Sequence, residues 1–187
     1  MNVTEAIQAR RAIRAYSPRV VDEATIRSLL KAAVQAPNAM NEQLWIFAVI
    51  QDRKKLARWS DRAKAMLLDR ASDDPKTRHY NPLLADPHFN IFYDAGTLVV
   101  IGSREHGTYT DADCWLAAEN LMLAACEAGL GSCPIGFAVP LLNTPTVKQE
   151  VGFSSSAVVV APILLGYSSV VAPPPPRAEP QILSWTR

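Results

Sequence analysis

The sequence predicts an α+β sandwich built as one domain over residues 1–187. The chain is 49% hydrophobic, so it can bury a substantial core without metals or disulfides. Helical and strand-like patterns alternate irregularly along it. No glycine-rich turn follows the first predicted strand, which favours an α+β fold over a dinucleotide-binding Rossmann unit.

Capping residues and hydrophobic periodicity define the predicted elements of the N-terminal half. Asn2 and Glu5 have the spacing of a capping box, and the helix that they begin ends near the arginines at positions 10–14. The further predicted elements, in chain order, are a helix opened by Asp22 and ended by Pro37, a strand from Trp45 to Ile50, and a helix capped by Asp52.

Residues 72–94 combine three prolines with mixed charge and scattered aromatics. This composition disfavours regular structure and is typical of a surface loop or lid. Several side chains of the segment are candidates to line a substrate channel: His79, Tyr80, His88, Phe89 and Phe92.

The C-terminal half begins with a predicted strand over 96–103. A long helix from Asp111 to Ala128 follows, capped by Thr110 with Asp113, and it is apolar nearly all round, so we place it in the core or at a subunit interface. Gly129 is predicted to end this helix, and a strand over 132–135 and a short helix from Thr144 to Gly152 follow. The last predicted strand covers 157–166, and Pro162 marks an edge or a bulge in it. An extended arm over 172–187 contains four consecutive prolines.

Charge and composition exclude several function classes. The 19 basic and 18 acidic residues give a net charge of +1, which provides no general attraction to nucleic acid or a membrane surface. No signal-peptide pattern and no apolar window of membrane-spanning length occur, so we expect a cytoplasmic protein. We interpret the three cysteines as reduced thiols that serve in packing. The histidines show no metal-ligand spacing with the cysteines.

Arg10, Arg11 and Arg14 fall within five residues where a helix gives way to an extended segment. At least two of these guanidinium groups can converge on one anion, such as a phosphate. A solvated charged surface is the alternative that the local sequence leaves open. Arg177, after the prolines, could reach the same anion on a stiff arm, or it could belong to a disordered charged tail.

Two further segments offer neutral hydrogen-bonding groups. Asn38, Asn41 and Gln43 lie in a loop between a helix and a strand, where carboxamides suit the edge of a flat heteroaromatic ring, although capping or turn formation is the plainer alternative. In the run over 131–137, Gly136 permits close backbone approach to a ring, and Pro134 sets the chain direction. An ordinary helix-to-strand connection is the alternative there.

Four separated segments resemble the small, FMN-dependent members of the nitroreductase family. They are Q-A-R-R-A-I-R-A-Y (residues 8–16), A-P-N-A-M-N-E-Q-L-W (36–45), the long helical segment over 111–133, and L-L-G-Y (164–167). The resemblance implies a three-layer sandwich, with a central mixed, mainly antiparallel sheet flanked by helices. It also implies a homodimer with flavin sites at the subunit interface.

The resemblance assigns roles to particular residues. Arg10 and Arg14 match positions that hold the flavin phosphate and ribityl chain, Ala12 stands where a serine is frequent, and Arg177 matches a phosphate-binding cation. The loop over 37–43 would serve the partner's flavin, and a backbone N–H near Gly136 would support flavin N5 without any side-chain catalyst. The implied cofactor-binding residues are Arg10, Arg11, Ala12, Arg14, Pro37, Asn38, Ala39, Asn41, Gln43, Pro134, Ile135, Gly136 and Arg177.

The function implied by the resemblance is ping-pong hydride transfer from NADH or NADPH, through FMN, to a nitroaromatic, quinone or enone. A flavin-binding sensor or carrier without turnover is the alternative. Nucleic-acid binding through the arginines has little support, because the net charge is near zero and no recognised module occurs.

Overall fold

The computed structural model describes residues 1–71 and 78–187. The helices are α1 (Val3–Ala9), α2 (Glu23–Ala33), α3 (Arg53–Ala71), α4 (Asn81–Ala85), α5 (Thr110–Glu127), α6 (Val139–Leu142) and α7 (Pro145–Glu150). The strands are β1 (Trp45–Ile50), β2 (Thr97–Ser103), β3 (Gly131–Pro134) and β4 (Val158–Gly166), and short 3-10 turns cover Ala39–Asn41, Arg78–Tyr80 and Gly136–Ala138.

The sheet is the middle layer of a three-layer sandwich. In the described part of the chain its strands run in the order β1-β2-β4-β3, and all neighbours pair antiparallel. Alternate residues of β2 point to opposite faces, so Val99 and Ile101 pack with α2 and α5. Leu98 and Val100 pack with α3 and α6 on the other face. The predicted α+β sandwich is confirmed, and the described parallel contact is an isolated bridge from Ala12 to Ser132.

Local signals placed most element ends correctly. The capping box of Asn2 and Glu5 is present, and Asp22 caps α2. Gly129 follows α5 with a positive φ of 72°. The predicted cap of α5 is wrong, because Tyr109 occupies the cap position and makes no side-chain cap bond. The Thr110 hydroxyl instead accepts the Gly107 N–H at 2.7 Å.

Pro162 lies in an interior strand, opposite Val100, so the predicted edge position is wrong. A bulge does occur in this strand, but at Val160, since Ile101 pairs with Ala161 and Gly102 with Val159. The Pro162 carbonyl accepts the Ile135 N–H at 2.9 Å where β3 has ended. The N–H and C=O of a residue in an antiparallel strand point to the same side. The Pro162 nitrogen therefore faces the side where β3 has ended, so the missing N–H removes no hydrogen bond between two strands.

Asn143 completes the sheet beyond the end of β3. Its Oδ1 accepts the Val159 N–H at 2.9 Å, and its Nδ2 donates to the Val159 carbonyl at 2.9 Å. One carboxamide thus replaces the missing neighbouring strand for buried Val159. The sequence pattern did not indicate this role.

The segment expected to form a loop or lid contains more regular structure than its prolines indicated. Residues 72–77 of it lie outside the described residues. In the described part, a 3-10 turn leads into α4, and Leu84, Ile91 and Phe92 are buried. These apolar side chains dock the segment on α3, so its composition was a poor guide to its packing. A lid function stays a prediction.

The chain after β4 is extended and largely exposed. Its last part carries apolar side chains in water, with Leu183 94% and Trp185 72% exposed. Among the helices in the described ranges, none has the length and apolar character needed to cross a bilayer.

Replacing Asn143 by leucine should destabilise the fold. The change leaves the buried N–H and C=O of Val159 unpaired, and we expect a loss on the order of 3 kcal/mol in the free energy of unfolding. Urea denaturation followed by circular dichroism measures it. Gln149→Leu, at an exposed carboxamide of α7, is the matched control. Equal stability of the two variants would contradict the role of Asn143.

Candidate functional site

The extended segment that carries the N-terminal arginines is attached to the free edge of β3. Ala12 bridges to Ser132, and the Ile13 N–H donates to the Ser132 carbonyl at 2.9 Å. This close approach requires glycine at position 131, since a Cβ there would lie 2.7 Å from the Ile13 side chain. The pairing brings residues 10–14 beside the connection that follows β3.

Arg10 and Arg11 lie together beside β3 and line one cavity with Gly131, Ser132 and other residues. Arg10 Nε is 3.3 Å from a carboxylate oxygen of Glu119, but it is not aligned for a hydrogen bond. Arg11 Nη1 donates to the Arg10 carbonyl at 2.8 Å, while its buried Nε has no partner in the described part of the protein. The pair therefore offers unused donors to an anion.

Arg14 belongs to a different cavity, although the sequence suggested one arginine cluster. This cleft measures about 430 Å³ and is lined by Arg14, Tyr80, Leu83, Ile91, Tyr93, Pro134, Ile135, Gly136 and Phe137. The guanidinium carbon of Arg14 lies 6.0 Å from the Tyr93 ring centroid. Burial raises the pKa of Tyr93, and the positive charge of Arg14 opposes this rise.

The run over 134–136 forms part of this cleft, as a flat ligand would require. A Cβ at Gly136 would meet open space within 4 Å, so the backbone presents an unobstructed surface. Gly136 begins a 3-10 turn, and the first N–H groups of such a turn have no partner inside it. Apolar and aromatic walls with a few convergent polar groups are typical of a cofactor or substrate cleft.

The carboxamides of the loop over 37–43 hold the loop itself together. Asn38 Oδ1 accepts the Gln43 N–H at 2.9 Å, and Gln43 Nε2 donates to Asn41 Oδ1 at 3.2 Å. The Ala39 N–H donates to both carboxylate oxygens of Asp113, at 3.2 and 3.3 Å. Asp113, predicted as a helix cap, thus fastens the loop to α5. Asn41 and Gln43 are nevertheless exposed, as is Pro37.

Within the chain, the loop over 37–43 lies apart from the candidate residues beside β3. The loop over 37–43 precedes β1, whereas the cleft lies beside β3, and these strands are opposite edges of the sheet. Three strand spacings separate them by about 14 Å. Arg177 lies on the exposed C-terminal arm.

Sequence reasoning missed two aromatic walls of the cleft, Tyr93 and Phe137. Tyr80, a candidate for the substrate channel, does line the cleft, and its ring meets that of Phe137 edge to face at 5.2 Å. Phe92, another candidate, is instead buried in the core. The neighbouring residues Phe92 and Tyr93 point to different environments, and no local pattern distinguished them.

The chain matches known proteins over most of its length. The model of the family described as "Nitroreductase family" matches residues 7–167. A protein of Archaeoglobus fulgidus named "Putative NADH dehydrogenase/NAD(P)H nitroreductase" is 32% identical over 163 residues, which are 86% of this chain and 82% of that protein. An iodotyrosine deiodinase of Thermotoga neapolitana is 27% identical over 168 residues, 80% of each chain.

Solved structures agree with these sequence matches. A nitroreductase with bound FMN from Bacteroides fragilis superposes with a TM-score of 0.83 at 26% identity, and the match covers 100% of this chain and 98% of that one. A nitroreductase with bound FMN from Desulfitobacterium hafniense gives a TM-score of 0.82 at 21% identity, covering 100% of both chains.

The thiols of α5 should differ in reactivity. Burial, with the nearby charges of Asp113 and Asp111, raises the pKa of Cys114 to about 12, so this group stays protonated at pH 8. Cys126, on the same helix, is only partly buried. We expect iodoacetamide at pH 8 to label Cys126 at least about tenfold faster than Cys114 in the native protein. Peptide mass spectrometry measures both rates, and equal labelling would show that Cys114 is not a protected packing thiol.

Proposed function

Because this chain belongs to the nitroreductase family, we propose that it is an FMN-dependent oxidoreductase. It takes reducing equivalents from NADH or NADPH and delivers them, in a ping-pong sequence, to an oxidised acceptor such as a nitroaromatic, a quinone or an enone. The observation that carries the proposal is the pairing of residues 12–13 with Ser132 of β3. A cavity lined by Arg10 and Arg11 lies at the start of this short strand, and an aromatic cleft lies at its end.

The residues present fit FMN. The Nε of Arg11, which has no partner among the described residues, and the Nε of Arg10 are donors suited to a phosphate. The open surface at Gly136 suits a flat ring, and Arg14 brings positive charge to that part of the cleft. Ala12 supplies no hydroxyl, so the arginines would carry more of the binding of the cofactor tail.

The protein's share of the reaction is binding, orientation and electrostatics, since FMN, when bound, supplies the hydride and electron chemistry. Arg14 would stabilise negative charge that develops beside it, because its guanidinium is positively charged. The N–H groups at the start of the 3-10 turn over 136–138 offer hydrogen bonds in the same cleft. Leu83 and Ile91 add apolar surface to the lining of the cleft.

We also infer that the site is completed by a second copy of the chain. One protomer keeps the loop over 37–43 far from its own cleft, so that loop would serve the partner's cofactor. Apolar side chains around the loop and on α5 are exposed, including Met40 at 91% and Leu116 at 45%. Burying them between two subunits removes an unfavourable apolar surface. The exposed arm over 172–187 would carry Arg177 toward a phosphate in the assembled dimer.

A flavin-binding protein without turnover is the second candidate. The absence of a hydroxyl at Ala12 favours it, because weaker placement of the cofactor tail is tolerated by a carrier more readily than by an enzyme. The two candidates share the same binding site and differ in whether the nicotinamide reductant reaches it.

The visible absorption spectrum of the purified protein tests the proposed reaction. We expect the bands of bound oxidised flavin, and we expect NADH or NADPH to bleach them in the absence of oxygen. Light scattering on the same sample should give the mass of two chains. Yellow protein that neither reductant bleaches would favour the carrier, and colourless folded dimer that takes up no added FMN would exclude both candidates.

Removing the guanidinium of Arg10 or Arg14 should weaken flavin binding. A charge-assisted hydrogen bond contributes about 1.5–3 kcal/mol, so each change to alanine should raise the dissociation constant for FMN roughly 10–100-fold. Fluorescence titration of the flavin-free protein measures this. Arg27→Ala, which removes an exposed arginine paired with Glu23 on α2, should leave the constant unchanged. Unaltered affinity in both site variants would contradict their assignment.

A further inference from the structure

Helix α3 buries two polar side chains one turn apart, among apolar residues of the core. Ser60 is 2% and Lys64 is 7% exposed, and the adjacent Trp59 and Ala63 are each 1% exposed. Neither Ser60 nor Lys64 was singled out by the sequence, and neither lines the cleft described above. Buried polar groups, and above all a buried ammonium, are unfavourable unless specific partners compensate them.

Both side chains bind the backbone of one short segment. Lys64 Nζ donates to the Phe89 carbonyl at 2.8 Å and to the Asp86 carbonyl at 3.1 Å. Ser60 Oγ accepts the Ile91 N–H at 3.0 Å. The carboxylate of Asp61 lies 3.7 Å from Nζ, but 78% of that side chain is exposed, so it contributes little. The segment over 86–91 is therefore anchored from beneath by α3.

A strained turn follows directly after these anchors. Tyr93 and Asp94 have φ values of 51° and 53°, in the left-handed region that non-glycine residues seldom occupy. Asn90 supports the turn, because its Oδ1 accepts the Phe92 N–H at 2.9 Å and its Nδ2 donates to Asp94 Oδ1 at 2.8 Å. Such strain persists only where the surroundings hold the backbone in place, and it is concentrated at functional sites.

The turn directs Tyr93 into the cleft. Phe92 points into the core and is fully buried, while the ring of Tyr93 lines the cleft beside Arg14. Phe89 supports that ring edge to face, with centroids 5.7 Å apart. A methionine at position 64 would fill nearly the same volume without burying a charge. Unlike methionine, the lysine donates to the Asp86 and Phe89 carbonyls. These hydrogen bonds fix the position of the segment that leads to Tyr93.

We propose that Lys64 and Ser60 are positioning residues that fix Tyr93 as a wall of the cleft, and that Tyr93 thereby determines how tightly the oxidised acceptor is held. The proposal rests on the proposed function for its second part only. The anchoring of residues 86–94 by α3 does not depend on whether the protein turns over.

Lys64→Met in the full-length, flavin-loaded protein tests the proposal by two readouts. Hydrogen exchange in peptides covering 86–94 should become about tenfold faster, because the Asp86 and Phe89 carbonyls lose the donor that anchors the segment to α3. With menadione as acceptor and rates normalised to flavin content, KM should rise about tenfold while kcat changes little. Lys64→Arg, which keeps a donor, should retain most of both properties. Lys31→Met, at an exposed lysine of α2, should match the wild type.

A double-mutant cycle distinguishes positioning from general destabilisation. Tyr93→Ala should raise the KM for menadione by itself, and adding Lys64→Met to it should raise KM no further if Lys64 acts through Tyr93. Should Lys64→Met fail to fold, Ser60→Ala takes its place in the same cycle.

Unchanged exchange over 86–94, or increases in KM that multiply in the double variant, would overturn the proposal. Wild-type protein without flavin or turnover would instead contradict the proposed function, and the exchange rates would still decide whether α3 anchors this segment.

Discussion

The pairing of residues 12–13 with Ser132 is the contact on which the candidate site depends. It attaches an extended N-terminal segment to the exposed edge of β3, and the missing side chain of Gly131 allows Ile13 to lie against the strand. Arg10 and Arg11 line a cavity with Gly131 and Ser132 at the start of β3, whereas Arg14 lines a cleft with Pro134 at the end of β3. A cofactor with an anionic tail and a flat ring needs a cationic cavity close to an aromatic cleft. The pairing of residues 12–13 with Ser132 brings two such environments close together.

The three-layer architecture explains why the other half of the candidate site lies elsewhere. The loop over 37–43 is fastened to α5 by Asp113 at the edge of the sheet opposite to β3. A compact sandwich cannot bring its two edges together, so residues on them could share one site only in the proposed dimer. Apolar exposure around Met40 and on α5 lies where such contact would bury it. The separation seen in one chain is therefore what a shared, two-subunit site requires.

Polar side chains stabilise the irregular parts of the fold by binding backbone groups that no helix or strand satisfies. Asn143 does so for Val159 beyond the end of β3. Lys148 does so for the Ala157 carbonyl before β4, at 3.0 Å, and Lys64 does so for the segment that leads to Tyr93. Each of these contacts joins residues at least nine positions apart in the sequence. None has a sequence signature, because the partner is backbone of any residue type.

Local chemistry in the sequence was sufficient to predict the cap of α1 at Asn2, the bounds of β1, the helix stop at Gly129 and the α+β class, since each depends on residues within a few positions of one another. The sequence also predicted residues 134–136, which line the cleft, and the arginines, as one group, to be site residues. Only the tertiary structure decided that Arg14 separates from its neighbours and that Asp113 binds a loop instead of capping its helix. The same is true of the place of Pro162 inside the sheet and of Tyr93 facing the cleft. These outcomes depend on strand order and on packing between residues distant in sequence, where the burial of the whole core overrides the preference of any short segment.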